Sequence, residues 1–185
     1  MDQLFLDMDG VIVDLHGGLC KWYCIPDPYT NSANMGKKYG PIILGLPNKQ
    51  TWDELPEKFW THLRWTSDGG EIIRQCEETF GKENITICTR PTNGRCADGK
   101  MNWLEHHLPY YFANEQFIIT GRKYHMARPG TYLLDDMEKY ADAFTMAGGM
   151  GWLVARPWNA FHQLDPIIRL NSLLNLYKLN KTKGR

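Results

Sequence analysis

The sequence lacks a long apolar run, an excess of charge of either sign and a signal segment. No stretch approaches the ~20 apolar residues of a membrane span, and the N-terminus has no basic, apolar and small-residue signal pattern. Lys plus Arg and Asp plus Glu number 21 each, so no global field attracts nucleic acid or an anionic membrane. We therefore expect a cytoplasmic protein with neither membrane nor nucleic acid as a partner.

The cysteines are few, odd in number and widely spread: Cys20, Cys24, Cys76, Cys88 and Cys96. This pattern is typical of reduced thiols rather than of a disulfide framework. Cys20 and Cys24 are one helical turn apart, a spacing that also occurs in metal sites, but no second close pair of cysteines or histidines accompanies them. Structural or incidental thiols are the favoured interpretation.

Strand and helix patterns alternate along a chain of 185 residues, 43% of them hydrophobic. Strands are predicted at 4–6, 85–88, 117–119, 132–134 and 152–155, and helices at 15–23, 56–63, 71–80, 98–108, 138–147 and 165–179. Asp68 is the expected N-cap of the helix at 71–80, and Met101, Leu104 and Leu108 should face inward from the helix at 98–108. The alternation predicts an α/β fold with a Rossmann-like three-layer core and a parallel sheet.

Residues 25–66 interrupt this pattern with frequent Pro, Gly and Asn. We expect residues 1–24 and 67–180 to form the core, and residues 25–66 to form a small, mainly helical and loop cap inserted after the first strand and helix. Residues 181–185 should be a flexible tail. The insert holds Trp52, Trp60 and Trp65, which either pack as its own small core or stack on a base. Packing is favoured, and one of these rings can do both.

Two carboxylates follow the first predicted strand, Asp7 and Asp9, and Gly10 comes next. Side chains alternate along a strand, so both carboxylates can project to the same side at its carboxyl end. Close carboxylates repel each other unless a proton or a cation lies between them. A metal-dependent site is the first hypothesis, and the alternative is an Asx turn with no chemical role.

Polar residues also end the later strands, and ligands of open parallel sheets bind beyond the carboxyl ends of the strands. Thr89, Lys123, Asp135 and Asp136 lie at these ends. Two acidic clusters can hold Mg²⁺ through oxygen ligands, while a threonine hydroxyl and a lysine ammonium can donate to phosphoryl oxygens. Taken alone, Asp135 and Asp136 could be a helix-capping turn, and Lys123 a solvated charge.

In order and at strand ends, these residues resemble the four motifs of the haloacid dehalogenase superfamily of phosphotransferases. Within it, the chain is most similar to the 5'(3')-deoxyribonucleotidases and their phage and bacterial relatives. The shared strings are Ile87-Cys88-Thr89-x-Pro91, Trp52-x-Glu54-Leu55-Pro56-x-x-Phe59-Trp60 and Leu133-Leu134-Asp135-Asp136. The resemblance covers about residues 3 to 158.

The resemblance implies a role for each motif residue. Asp7 would be the nucleophile that forms an aspartyl-phosphate, and Asp9 would protonate the leaving oxygen and then activate water. Thr89 and Lys123 would bind the transferring phosphoryl group. Asp7, the backbone carbonyl of Asp9 and one of Asp135 and Asp136 would hold Mg²⁺, with Asp136 favoured as the direct ligand.

At two positions the resemblance leaves two interpretations of the function. Arg90 stands where the nucleotidases carry a small hydroxyl residue, so its guanidinium would either add a phosphate contact or crowd the pocket. The segment 156–159 either borders the same crevice or is an ordinary loop.

The expected activity is that of a Mg²⁺-dependent phosphatase acting on a small phosphate ester. The expected substrate is a nucleoside or deoxyribonucleoside 5'- or 3'-monophosphate, with Trp60 contributing to its binding. A polynucleotide 3'-phosphatase, with a local patch at Lys178, Lys181, Lys183 and Arg185, is one alternative. A nucleotide-binding protein without turnover is another. The sequence leaves open whether the chain forms a homodimer.

Overall fold

A five-stranded parallel sheet forms the centre of the molecule in a computed structural model, which describes residues 2–37 and 39–183. The strands follow the order β3-β2-β1-β4-β5, and their bounds are β1 (Gln3–Leu6), β2 (Ile85–Thr89), β3 (Phe117–Ile119), β4 (Thr131–Asp135) and β5 (Met150–Leu153). Helices flank this sheet. The predicted α/β class and Rossmann-like three-layer core are confirmed.

Eight α-helices are described, at α1 (Leu15–Trp22), α2 (Asn48–Glu54), α3 (Glu57–Thr61), α4 (Gly69–Phe80), α5 (Gly94–His107), α6 (Pro109–Ala113), α7 (Glu138–Met146) and α8 (Pro166–Lys183). The short helices α2 and α6 are absent from the sequence prediction, because one or two turns give too few residues for a periodic pattern. Helix α8 extends past the predicted end at 179, and Lys181 on it pairs with Asp2 at 2.6 Å. None of the helices within the described ranges has the length and apolar character to cross a bilayer. All five cysteines are free, as predicted.

Helix α5 differs most from its prediction. It begins at Gly94, because the side chain of Asn93 accepts a hydrogen bond from the backbone N–H of Cys96 and caps the helix. Met101, expected to face inward, is 37% exposed, so that prediction is wrong. The buried face instead runs through Cys96, Gly99, Lys100, Trp103 and Leu104. Because a lysine lies in the middle of this buried face, the face does not show as a continuous run of apolar residues in the sequence.

The cap of helix α4 also differs from expectation. Asp68 occupies the N-cap position, but its side chain makes no capping hydrogen bond. It pairs instead with Arg156, which is 7% exposed and lies 2.6 Å away. The same guanidinium donates to the carbonyl oxygens of Gly10 and Val11. Arg156 thus fastens the turn after β1 to the start of α4.

The strand register places the site. Leu6 of β1 pairs with Ile87 of β2 and with Leu134 of β4, so the residues that follow these strands emerge at one edge of the sheet. The insert 25–66 leaves and returns near this edge, because Val13 bridges to Trp65 and the backbone N–H of Asp14 donates to the carbonyl of Arg64.

Candidate active site

Three aspartates and a lysine meet at the carboxyl ends of β1 and β4. One carboxylate oxygen from each of Asp7, Asp135 and Asp136 lies within 4.8 Å of the others, and all three side chains are buried. Lys123 Nζ lies 2.7 Å from Asp7 Oδ1 and 2.7 Å from Asp135 Oδ2. Residues far apart in sequence therefore form one compact charged cluster.

Burial and mutual repulsion oppose ionisation of these carboxylates. Burial, with a smaller contribution from the Asp135 and Asp9 carboxylates, raises the pKa of Asp7 to about 7, even though the Lys123 ammonium opposes the rise. Burial, followed by Asp135 and Asp7, raises the pKa of Asp136 well above its usual range. One lysine does not compensate three buried carboxylates, whereas an additional divalent cation would. An all-oxygen donor set of this kind fits Mg²⁺.

Lys123 is not the solvated charge that it could have been when considered alone. Its side chain is 1% exposed, and it opens the 3-10 turn Lys123–Met126 after β3. Asp135 does serve as a turn residue, since its Oδ1 accepts from the backbone N–H of Met137 at 2.9 Å. Its second oxygen, Oδ2, binds Lys123. The turn and the charged cluster therefore share one side chain, using its two oxygens.

A second buried lysine, Lys100 of α5, holds Asp9 and was missed from the sequence. Its Nζ donates to Asp9 Oδ2, to Thr89 Oγ1 at 2.8 Å and to the carbonyl oxygen of Arg90 at 2.7 Å. These three acceptors use all three N–H bonds of the ammonium. The other Asp9 oxygen, Oδ1, is buried and has no hydrogen-bond partner within the described part of the chain. Asp9 therefore has one fixed oxygen and one available for proton transfer.

A sequence signal for Lys100 does exist. It lies four residues after Cys96 and three before Trp103, in phase with the apolar positions of α5. Lysine is almost never fully buried unless it is paired. A lysine in phase with a buried stripe therefore indicates an acidic partner in the core.

Gly10 fits the site for both backbone and packing reasons. Its φ is +73°, in the left-handed region. A Cβ at this position would collide with Oδ2 of Asp136 and press on the ring of Trp158. The glycine after the two aspartates thus lets the chain pass close to the acidic cluster.

The segment after β5 lies against the acidic cluster, so it is more than an ordinary connecting loop. Trp158 Nε1 donates to Asp136 Oδ2 at 2.8 Å, and Asn159 Nδ2 donates to the carbonyl oxygen of Asp136 at 3.0 Å. Two contacts from one loop fix both the carboxylate and the backbone of Asp136.

A cavity of about 430 Å³ opens at this cluster. Core residues form one side, and the insert 25–66 forms the other. Of the residues predicted to contact phosphate, Lys123 and Arg90 line the cavity, whereas Thr89 is 1% exposed and accepts a hydrogen bond from Lys100. The lining comprises Asp7, Asp9, Leu15, Tyr39, Gly40, Pro41, Ile42, Asn48, Lys49, Trp52, Asp53, Trp60, Arg90, Thr92, Lys123, Asp136, Met137, Lys139 and Tyr140.

Three positively charged side chains lie near the ring of Tyr140, on one side of the cavity. Arg90 is exposed, and its Nη1 donates to Tyr140 Oη at 2.8 Å. Lys123 Nζ and Lys139 Nζ lie 5.0 Å and 4.8 Å from the centre of the same ring. Arg90 is therefore held at the cavity wall by a tyrosine, in a position to meet an anionic group.

The tryptophans of the insert pack and also line the cavity. Trp60 is 1% exposed and stacks on Trp52, with ring centres 6.0 Å apart and planes at 28°. Trp52 is half-buried and shares the lining. Trp65 packs on Trp103 of the core, 5.1 Å between ring centres. Packing thus accounts for all three rings, and Trp52 presents the more accessible aromatic surface to the cavity.

Like Asp9 Oδ1, two hydrogen-bond donors of the insert are buried and have no hydrogen-bond partner among the described residues. They are Tyr39 Oη and Trp60 Nε1, and both side chains line the cavity. Burial, together with the Asp136, Asp9 and Asp7 carboxylates, raises the pKa of Tyr39 well above its usual value, so its hydroxyl stays protonated. An unsatisfied buried polar group costs about 1–3 kcal/mol. A ligand that accepts hydrogen bonds would recover that cost.

A scan against protein-family models gives no match for this chain, and a search of curated proteins also gives none.

Proposed function

We propose that the chain is a Mg²⁺-dependent phosphomonoester hydrolase of the haloacid dehalogenase type, acting on nucleoside or deoxyribonucleoside monophosphates through phosphorylated Asp7. The proposal rests on two aspartates, Asp7 and Asp9, that line one cavity but have different hydrogen-bond and charge partners. Asp7 contacts Lys123 beside a buried acidic cluster, while Asp9 has one oxygen on Lys100 and one without a partner among the described residues. An attacking carboxylate and a proton-transferring carboxylate need these two environments.

In the first step, a carboxylate oxygen of Asp7 attacks phosphorus, and the bond from phosphorus to the ester oxygen breaks. Asp9 gives a proton to the departing oxygen. In the second step, Asp9 takes a proton from water, the water oxygen attacks phosphorus, and the bond between phosphorus and Asp7 breaks. Lys123 and Arg90 offset the negative charge of the phosphoryl oxygens during both steps.

Asp7 and Asp136 would hold Mg²⁺, with the carbonyl oxygen of Asp9 as a further ligand by family resemblance. Asp135 lies behind them, since its two oxygens accept from Lys123 and from the backbone N–H of Met137. The ion, when bound, supplies positive charge that offsets the repulsion between the phosphoryl group and Asp7. Trp158 and Asn159 fix Asp136 for this role through hydrogen bonds of 2.8 Å and 3.0 Å. The proposed base contact is Trp52, with Trp60 stacked behind it.

Phosphate release from a panel of nucleoside 5'- and 3'-monophosphates and simple phosphate esters, assayed with Mg²⁺ and with a chelator, tests this proposal. We expect release only with Mg²⁺ and a higher kcat/KM for nucleotides than for simple esters. Asp136→Asn is expected to need more Mg²⁺ for half-maximal rate. Absence of release from every ester in Mg²⁺ would instead support the non-catalytic nucleotide-binding alternative.

The polynucleotide 3'-phosphatase alternative gains no support from the basic residues near the C-terminus. Lys181 pairs with Asp2, which precedes β1, while the cavity lies at the carboxyl end of β1. Lys181 is therefore at the other end of the strand from the site. Arg185 lies outside the described residues, and the side chain of Lys183 is likewise not described.

Tyr39→Phe provides a second test of the same site. The hydroxyl it removes has no partner among the described residues, so the melting temperature should be unchanged or slightly higher. If the hydroxyl donates to a phosphoryl oxygen, kcat/KM should fall by about 10- to 150-fold, because a hydrogen bond to a charged group contributes about 1.5–3 kcal/mol. Tyr124→Phe, which alters an exposed tyrosine, is the matched control. Unchanged kcat/KM in Tyr39→Phe would remove Tyr39 from the proposed site.

A further inference from the structure

Three other side chains with metal-ligating atoms meet beside the candidate active site. His16 and Cys20 lie one turn apart on α1, and Asp27 precedes the 3-10 turn Pro28–Thr30 of the insert. One atom of each lies within 4.8 Å of the others. His16 is 6% exposed and Cys20 is 9% exposed. Sequence spacing paired Cys20 with Cys24 instead, because nothing local indicates that Asp27 folds back onto α1.

The carboxylate and the thiol both approach the same nitrogen of the imidazole. Asp27 Oδ1 is 2.9 Å from His16 Nε2, and Cys20 Sγ is 3.6 Å from it. A ring nitrogen carries either one proton or one lone pair. If Nε2 carries a proton, it can donate a full hydrogen bond to only one of the carboxylate and the thiol. If Nε2 carries a lone pair, it can accept a hydrogen bond from the thiol, but it is repelled by the lone pairs of the carboxylate. Neither form satisfies both neighbours, whereas a cation between the three atoms would.

The geometry does not fit a Cys-His-Asp catalytic triad. In a triad, the histidine contacts the nucleophile through one ring nitrogen and the carboxylate through the other. Here both contacts involve Nε2, and Nδ1 of His16 is buried with no partner among the described residues. The cluster is therefore not arranged to activate Cys20 as a nucleophile.

We propose that His16 Nε2, Cys20 Sγ and Asp27 Oδ1 form a Zn²⁺ site, separate from the Mg²⁺ site, with a fourth position open to water. Zn–S bonds of about 2.3 Å and Zn–N and Zn–O bonds of about 2.0–2.1 Å at tetrahedral angles place S and N about 3.6 Å apart and N and O about 3.3 Å apart. The observed separations are 3.6 Å and 2.9 Å. Mixed sulfur, nitrogen and oxygen donors suit Zn²⁺, whereas Mg²⁺ selects oxygen.

The site would fix the insert to the core. The backbone N–H of Tyr29 donates to Asp27 Oδ1 at 2.9 Å, and the rings of Tyr29 and His16 lie 5.8 Å and 5.5 Å from that of Trp158. Trp158 in turn donates to Asp136. Zinc at this position would therefore fix the side chains that pack on Trp158, the partner of Asp136, without touching the reacting atoms.

Metal analysis of the full chain tests the proposal, using untagged protein purified without chelator, supplied with Zn²⁺ and dialysed in excess Mg²⁺. We expect about one bound zinc per chain in the wild type, as for a site with three protein ligands and one water. Cys24→Ser, at an exposed cysteine next to the same helix, should retain that zinc, and Cys20→Ser should lose it. Co²⁺ in place of Zn²⁺ should give a thiolate-to-metal charge-transfer band in the wild type and in Cys24→Ser only.

Asp27→Asn gives a variant that does not disturb the core, because the Asp27 side chain is 49% exposed. Its zinc affinity should fall at least about 10-fold, as expected when a metal site loses a charged partner. Zinc-free wild-type protein, or equal zinc content in Cys20→Ser and Cys24→Ser, would overturn the proposal. These measurements do not depend on phosphatase activity, so they stand whether or not the proposed function is correct.

Discussion

Asp7→Asn is expected to lower phosphate release by about 10⁴-fold or more, since loss of a covalent nucleophile removes the first chemical step. The fold should survive, because Asn has nearly the same shape. Its melting temperature in chelator at pH 8 should be unchanged or higher. The folded-state pKa of Asp7, about 7, lies above its ordinary value of 3.8, so ionisation of Asp7 destabilises the metal-free fold increasingly as pH rises from about 4 to about 7, and at pH 8 the whole cost is present. The neutral amide removes this cost.

The rate should be measured as phosphate release in saturating Mg²⁺, and stability as thermal unfolding followed by circular dichroism. Asp142→Asn, at an exposed position of α7, controls for the loss of one carboxylate. A variant that unfolds at the wild-type temperature and still turns over at the wild-type rate would show that Asp7 is not the nucleophile.

Lys100→Met is expected to have the second largest effect. The substitution keeps the length of the buried stem but removes the ammonium that binds Asp9, Thr89 and the carbonyl of Arg90. Asp9 then loses the donor that fixes the orientation of its carboxylate. Since general acid–base catalysis contributes about 10²–10⁴-fold, kcat should fall within that range. The melting temperature should also fall, because three acceptors lose their donor.

A charge-balanced double variant separates the loss of activity from the loss of stability. Adding Asp9→Asn to Lys100→Met removes the uncompensated carboxylate, so part of the melting temperature should return while activity stays lost. Lys178→Met, on the exposed face of α8, is the matched lysine control. If Lys100→Met retained the wild-type kcat, Lys100 would be a structural residue only.

Most of the core could be predicted from sequence because buried strands and amphipathic helices leave local periodic patterns. The strand at 117–119 is predicted to the residue, and the strands before Asp7 and at Asp135 are correctly located. The predicted end of β2, by contrast, falls one residue short of Thr89. Parallel pairing then places the strand ends at one edge whatever the loops do. That rule alone brings Asp7, Lys123, Asp135 and Asp136 into one neighbourhood.

The partners of these residues required the tertiary structure. Lys100 is separated from Asp9 by 91 positions, and Trp158 from Asp136 by 22, and no local pattern encodes either contact. The insert is the extreme case, since Tyr39 and Asp27 acquire their neighbours only when a segment rich in turns folds back on α1 and β1.

The sequence by itself therefore determined the fold class and the group of acidic and basic residues around which the site is built, because periodicity and strand polarity are local properties. Only the tertiary structure decided that Lys100 fixes one oxygen of Asp9, that Tyr39 lines the cavity and that His16, Cys20 and Asp27 meet. Those contacts depend on side-chain packing between distant segments. Burial makes these contacts important, because a charged group or hydrogen-bond donor that is removed from water destabilises the protein unless it is paired or binds a ligand.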